Sequence, residues 1–262
     1  MKPLFIQLFV PCLLVLISCG SDDPSDSNGS PAPPKEKCLL QKQISSTLTL
    51  TITRNSEGLP TSIAYDYKYQ NVEYTTTSLV EYDGSGHLIK IKGEDYSFTY
   101  EYDSQGKVVR EKYDAIIDPT IPYSYPYERS YSYDNAGNLV KISFDENTYE
   151  RYEYDSNGNL TKKFLRTTTQ PEYLVTEYLS YDDKKSPYLE FPFQYNLYLG
   201  FSQVYTIISS LRPIVSENNI VSVKNYLPDG TSVTQNATYA YNDLGYATSI
   251  SESNVSYVFE CK

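Results

Sequence analysis

The chain has 262 residues, 29 of them tyrosine, with no tryptophan, one histidine and a formal charge of −11. A single histidine, His87, excludes a multi-histidine zinc site. The acidic balance argues against a nucleic-acid partner, because a phosphate-binding face needs clustered Lys and Arg, whereas Lys90, Lys92, Lys107, Arg110 and Lys112 are interleaved with carboxylates. Short alternating segments rich in Tyr, Thr and Ser predict an all-β protein with one large domain.

In chain order, Met1-Lys2-Pro3 and the apolar run from Leu4 to Ile17 have the charged cap and short core of a secretory signal over residues 1–18. The run is too short to span a membrane comfortably. Leu16-Ile17-Ser18-Cys19 is similar to the lipobox of bacterial lipoproteins, which makes Cys19 the expected site of acylation by palmitate-type chains; simple secretion with an incidental thiol is the alternative. Residues 19–37, with Asp22, Asp23, Asp26, Pro31, Pro33 and Pro34, read as a polar tether able to hold a domain up to roughly 60 Å from the bilayer. Cys38 and Cys261 then remain at the two ends of a single domain over 38–262. Outside the cytoplasm they invite a disulfide clasping first strand to last, worth ~3–5 kcal/mol by the chain-entropy argument; two separate buried or free cysteines are the alternative.

Leu48, Leu50, Ile52 and Arg54 alternate as a strand, Asn55-Ser56-Glu57-Gly58-Leu59 reads as a degenerate turn, and Ile63, Tyr65 and Tyr67 return. Four closer copies of Tyr-Asp-x-x-Gly-x-Leu/Val follow, at Tyr82–Leu88, Tyr102–Val108, Tyr133–Leu139 and Tyr154–Leu160, with a worn copy at Tyr241–Ala247. In each, the Asp carboxylate can accept the amide two residues on, and Gly86, Gly106, Gly137 or Gly158 can take positive φ. Each copy is therefore predicted to be a β-hairpin that pairs its Tyr with its Leu or Val. Tyr96, Phe98, Tyr100 and Tyr102 are expected on one face, as are Val140, Ile142 and Phe144. The prolines of Ile116–Pro126 suit an exposed insertion.

These residues resemble the YD repeats of Rhs-type and teneurin-type proteins, and more closely the short YD-repeat lipoproteins of Bacteroidota, over about residues 50 to 262. The resemblance implies a lipoprotein family largely without assigned activity, and it makes the acidic stretch after Cys19 similar to the signal that sends such lipoproteins to the outer face of the outer membrane.

After Tyr181-Asp182-Asp183 the rhythm breaks. Leu189 to Ile214 is aromatic and irregular, with Phe201–Leu211 as the one candidate helix or a packed crossing loop. The meander resumes at Ile220, turns at Leu227-Pro228-Asp229-Gly230 and ends on Val255, Tyr257, Phe259 and Cys261. The expected architecture is thus an antiparallel β-meander of a dozen or more strands, forming a curved or partly closed sheet.

His87 reads as an exposed turn residue, and the Asp155–Asn159 segment as a turn and not a calcium loop, because the distal Glu is absent. No residues present themselves as catalytic, cofactor-binding or metal-binding. The expected role is a non-catalytic envelope scaffold or binding module at the cell surface, with the periplasmic face as an alternative. Its partners are the outer membrane, through lipid, and a glycan or another envelope protein. One rival is a glycan-binding accessory lipoprotein using Tyr188, Tyr195, Tyr198 and Tyr205, where the repeat is broken. The other is a glycoside-active enzyme using a carboxylate pair, of which the sequence singles out none.

Overall fold

The computed structural model describes residues 38–69, 72–115, 126–186, 216, 218–227, 229–251 and 254–261. They fall within one compact unit, Glu36–Lys262. Strands β1 (Cys38–Ile44), β2 (Leu48–Arg54), β3 (Pro60–Tyr69) and β4 (Val72–Tyr82) open the sheet. The repeats are carried by β5 (Leu88–Lys92), β6 (Tyr96–Tyr102), β7 (Val108–Ala115), β8 (Tyr127–Tyr133), β9 (Leu139–Ser143), β10 (Tyr149–Tyr154) and β11 (Leu160–Arg166). Then come β12 (Tyr173–Lys185), β13 (Asn218–Tyr226), β14 (Ser232–Asn236), β15 (Tyr239–Tyr241), β16 (Ala247–Ile250) and β17 (Val255–Cys261). No helix occurs among the described residues, and the candidate helix Phe201–Leu211 lies outside them.

The 17 strands of the described residues belong to one antiparallel sheet in which sequence neighbours pair from β1 to β14 and again from β15 to β17. Between β14 and β15 the chain changes partners: Ala237 N–H donates to Val221 of β13 at 2.8 Å, and the Thr238 carbonyl accepts from Ser251, just past β16, at 3.0 Å. The last strand returns to the first, with β17 paired to β1 from Cys38↔Cys261 to Ile44↔Ser256. The result is one meander sheet that does not close. Cys38 and Cys261 face each other across that ladder with Cα atoms 3.9 Å apart and are joined as a disulfide.

The expected cross-strand pairs form at every repeat: Tyr82↔Leu88, Tyr102↔Val108, Tyr133↔Leu139 and Tyr154↔Leu160. Just beyond each pair the register slips by one, because Glu81 pairs with Lys90, Glu101 with Arg110, Ser132 with Lys141 and Glu153 with Lys162. Ile89, Val109, Val140 and Thr161 are the extra residues of four β-bulges. A bulge inverts the alternation that follows it, so the inward positions become the motif Leu or Val and the residue three later. Leu88 with Ile91, Val108 with Glu111, and Leu139 with Ile142 are accordingly buried.

This corrects the expected face of β9. Val140 is bulged and Phe144 is exposed, so only Ile142 of that trio points into the core. In β6, which has no bulge, Phe98 and Tyr100 are buried as the alternation predicts, with Tyr96 and Tyr102 packed at the edge of the same core. Sealing Phe98, Ile91, Leu139 and Leu160 to 2% exposure or less contributes roughly 1.5–3 kcal/mol apiece. Tyr65, Tyr131, Tyr152, Tyr178 and Tyr257 complete the interior beside Tyr100, so much of the tyrosine content is core.

Candidate functional site

The site is built from the turns. Asp83 Oδ1 accepts the amides of Ser85 (2.8 Å) and His87 (2.9 Å), and Asp103 and Asp155 repeat both bonds with Gln105 and Lys107, and with Asn157 and Asn159. The carboxylate thus binds not only the expected second amide but also the fourth. The amide of His87 foremost holds Asp83 below the usual carboxylate range, and that of Lys107 does the same for Asp103. Asn55 and Asn242 make the same pair of bonds in the worn copies, where a side-chain amide oxygen replaces the carboxylate. Gly137, at φ 94°, shows why glycine closes the turn.

Successive hairpins are locked together by their motif tyrosines. The hydroxyl of Tyr102 donates to the Leu88 carbonyl at 2.6 Å, Tyr133 to Val108 at 2.9 Å, and Tyr154 to Leu139 at 2.8 Å. Tyr181 donates likewise to Leu160, and Tyr239 to Ile220 at 2.9 Å. Each acceptor in the repeats is the motif Leu or Val of the preceding hairpin. The residue between the motif Gly and that Leu or Val then covers the next tyrosine: the His87 ring stacks on Tyr102 with centroids 4.8 Å apart, and Lys107 Nζ lies 5.2 Å from the Tyr133 centroid.

The third hairpin has Asn138 at this position, and its amide is bonded back to Asp134 Oδ2 at 3.0 Å. Between the third and fourth hairpins lies a groove of about 700 Å³ lined by Asp134, Asn138, Glu153, Tyr154, Asp155 and Thr161 among others. Neither lysine nor arginine lines it. The β9–β10 ladder ends at Lys141↔Arg151, so the two strands part beyond it and open this space. Glu153 is held at one side by Arg151 Nη1 at 2.7 Å.

Two carboxylates, Glu111 fully buried and Glu150 partly so, form a second cluster. Glu111 is sealed from solvent and meets Arg129, its cross-strand partner, at 3.4 Å. Burial pushes its carboxyl up to about 7 against the pull of Arg129, and the Tyr131 phenol lies beside it. Glu150 meets Lys163 Nζ at 2.6 Å and accepts from the Tyr152 hydroxyl. Burial pushes Glu150 up, but Lys163 outweighs it and holds the carboxyl below its usual range. Both Glu111 and Lys163 occupy the inward position three residues after a motif Val or Leu. The sequence marked neither, because strict alternation places them elsewhere; the bulge rule is the signal that finds them.

Of the residues singled out from the sequence, Cys38 and Cys261 are brought together, while Cys19, Tyr188, Tyr195, Tyr198 and Tyr205 lie outside the described residues. His87 is not simply exposed: it pairs with Asp83 at 3.1 Å and stacks on Tyr102. Among the described residues, no group of three or more His, Cys, Asp or Glu side chains could hold a metal ion.

The fold and its interlocked turns define an antiparallel β-meander protein built from YD-type hairpins. Residues 133–163, the third and fourth hairpins, match the family model described as RHS Repeat. No curated protein matches the chain. Among solved structures, the chain is similar in fold to a porin-like protein from Bacteroides uniformis, at 16% identity and a TM-score of 0.55, over 87% of this chain and 98% of that one. It also matches TcdB2-TccC3-Cdc42 at 14% identity and a TM-score of 0.32, over 80% of this chain and 11% of that one.

Proposed function

We propose that the chain is a non-catalytic cell-envelope lipoprotein whose repeat sheet serves as a scaffold or binding module, held to the outer membrane by acyl chains on Cys19. The carrying observation is the interlock, in which tyrosine hydroxyls tie each hairpin to the one before while the Cys38–Cys261 bridge clasps the ends. Such a sheet is a stiff platform with its turns and groove at the surface. A disulfide also supports an oxidising compartment outside the cytoplasm, and the acidic residues after Cys19 support the cell-surface side.

The enzyme reading draws on Glu111 and Glu150, whose carboxyls are pushed in opposite directions as in an acid and base pair. Each, however, is engaged by its own cation, and Glu111 has no solvent contact, which favours interior ion pairs. Cells fed an alkyne-tagged palmitate should label the wild-type chain and not Cys19→Ala, and added protease should reach the chain on intact cells. Equal labelling of both would sink the anchor. Glycoside hydrolysis abolished by Glu111→Gln or Glu150→Gln would sink the non-catalytic reading.

A further inference from the structure

We infer that β12 and β13 are a further YD hairpin whose turn has been opened to admit residues 185–218, so that the sheet carries this segment and does not need it to fold. The fourth hairpin supplies the comparison. There Asp155 Oδ1 accepts the amides of Asn157 and Asn159, and the Asn159 side-chain amide reaches Asp155 Oδ2 at 3.4 Å. Asp182 Oδ1 likewise accepts the amide two residues on, from Lys184 at 2.9 Å. The other two bonds come from Asn219, whose main-chain N–H meets Asp182 Oδ1 at 3.2 Å and whose side-chain amide meets Oδ2 at 3.1 Å. Asn219 therefore stands where Asn159 stands, with residues 185–218 in the place of Gly158.

The strands agree with that placement. Tyr181 pairs with Ile220 as Tyr154 pairs with Leu160, and Ser180 then pairs with Ser222, which leaves Val221 bulged in the place of Thr161. Ile220 and Val223, the motif position and the one three later, are fully buried. The interlock holds on both sides: the Tyr181 hydroxyl donates to the Leu160 carbonyl, and the Ile220 carbonyl accepts from Tyr239 at 2.9 Å. Lys185 and Asn218 pair at the base of the segment. A turn closed by bonds from its two ends tolerates added length, because loop-closure entropy grows only with the logarithm of the number of residues. Two contacts tie the segment's end to the fourth turn, Ser216 Oγ and the Asn218 main-chain N–H, which donate to Asn159 Oδ1 at 3.3 and 3.1 Å. Their loss on excision offsets part of what the shorter loop gains. None of this depends on the lipid anchor or on a scaffold role.

Replacing residues 185–218 of the full chain by one glycine joins Lys184 to Asn219 through the residue type that the fourth turn holds at φ 80°. That chain should melt cooperatively within about 5 °C of the wild type, with the Cys38–Cys261 bridge still formed by mass. Joining through alanine should melt about 3 °C or more below the glycine join, because an L side chain is strained in the left-handed region. In the uncut chain, Asn219→Ala should lower the melting temperature by about 2–5 °C, since Asp182 loses a donor. Loss of the cooperative melt in the glycine-joined chain would show that residues 185–218 build the core. Equal melting of the two joins, or an unchanged melt in Asn219→Ala, would show that Asp182 and Asn219 do not close a repeat turn. Any of these results would overturn the inference.

Discussion

The Tyr133 hydroxyl donates to the main-chain carbonyl of Val108, 25 positions earlier, at 2.9 Å. Val108 closes one hairpin and Tyr133 opens the following turn, so this bond joins two repeats and not two halves of one. Tyr133→Phe keeps the ring and leaves the carbonyl short of a donor, and should cost about 0.5–1.5 kcal/mol in urea unfolding. Tyr82, the motif tyrosine of the first repeat, has a buried hydroxyl with no hydrogen-bond partner among the described residues, and burial pushes it up to about 12. Tyr82→Phe should therefore be neutral or stabilising. Equal losses in the two variants would show that the interlock contributes nothing specific.

Gly137 tests the turn. A Cβ there would have φ 94° and would lie 3.3 Å from Lys107 Nζ. Gly137→Ala should destabilise by about 1–3 kcal/mol. Gly84, two residues before Gly86 in the first turn, has ordinary φ and open space, so Gly84→Ala should stabilise by about 0.4–1 kcal/mol. Thermal melts of both variants decide the matter, and a destabilised Gly84→Ala would contradict the turn geometry.

Glu111 carries a pH dependence of definite sign. Its folded carboxyl is raised to about 7 from 4.5, so between those values the folded state holds a proton that the unfolded chain has released. Its contribution is full below about pH 4.5 and is lost as the pH rises through about 7. The turn aspartates Asp83 and Asp103 are shifted downward, so their contribution is lost only as the pH falls through the acidic carboxylate range. Unfolding free energies at pH 5 and pH 7.5 should show the advantage of wild type over Glu111→Gln shrinking at the higher pH. An advantage that grows with pH would mean that Arg129 dominates and the carboxyl is shifted downward.

The clasp closes a loop of 223 positions between Cys38 and Cys261. Removing it with Cys38→Ser and Cys261→Ser together should cost roughly 3–5 kcal/mol. Melting temperatures with and without reductant should differ for the wild type and coincide for the double variant. Insensitivity of the wild type to reductant, with the bridge verified broken by mass, would show that pairing of β1 with β17 needs no covalent help.

The groove and the ion pairs mark where reading the chain stopped short. Asp83-Gly84-Ser85-Gly86 and its relatives act within five residues, because a carboxylate binds the second and fourth amides after it and a glycine takes the left-handed region. The turns, the Tyr–Leu and Tyr–Val pairs, the all-β meander and the terminal strand over Val255–Cys261 were therefore legible from the amino acids alone. The bulges at Ile89, Val109, Val140 and Thr161 were not, since a one-residue slip leaves composition and local pattern unchanged while sending Glu111 and Ile142 inward. The bonds from Tyr102, Tyr133 and Tyr154 to the preceding hairpins span 14 to 25 positions, and only the way successive hairpins lie beside one another decides which carbonyl each hydroxyl meets. The sequence alone determined the hairpins, through local turn chemistry; the tertiary structure decided how they interlock and where a groove opens, because both depend on the register between strands and on which side chain, His87, Lys107 or Asn138, stands beside the next tyrosine.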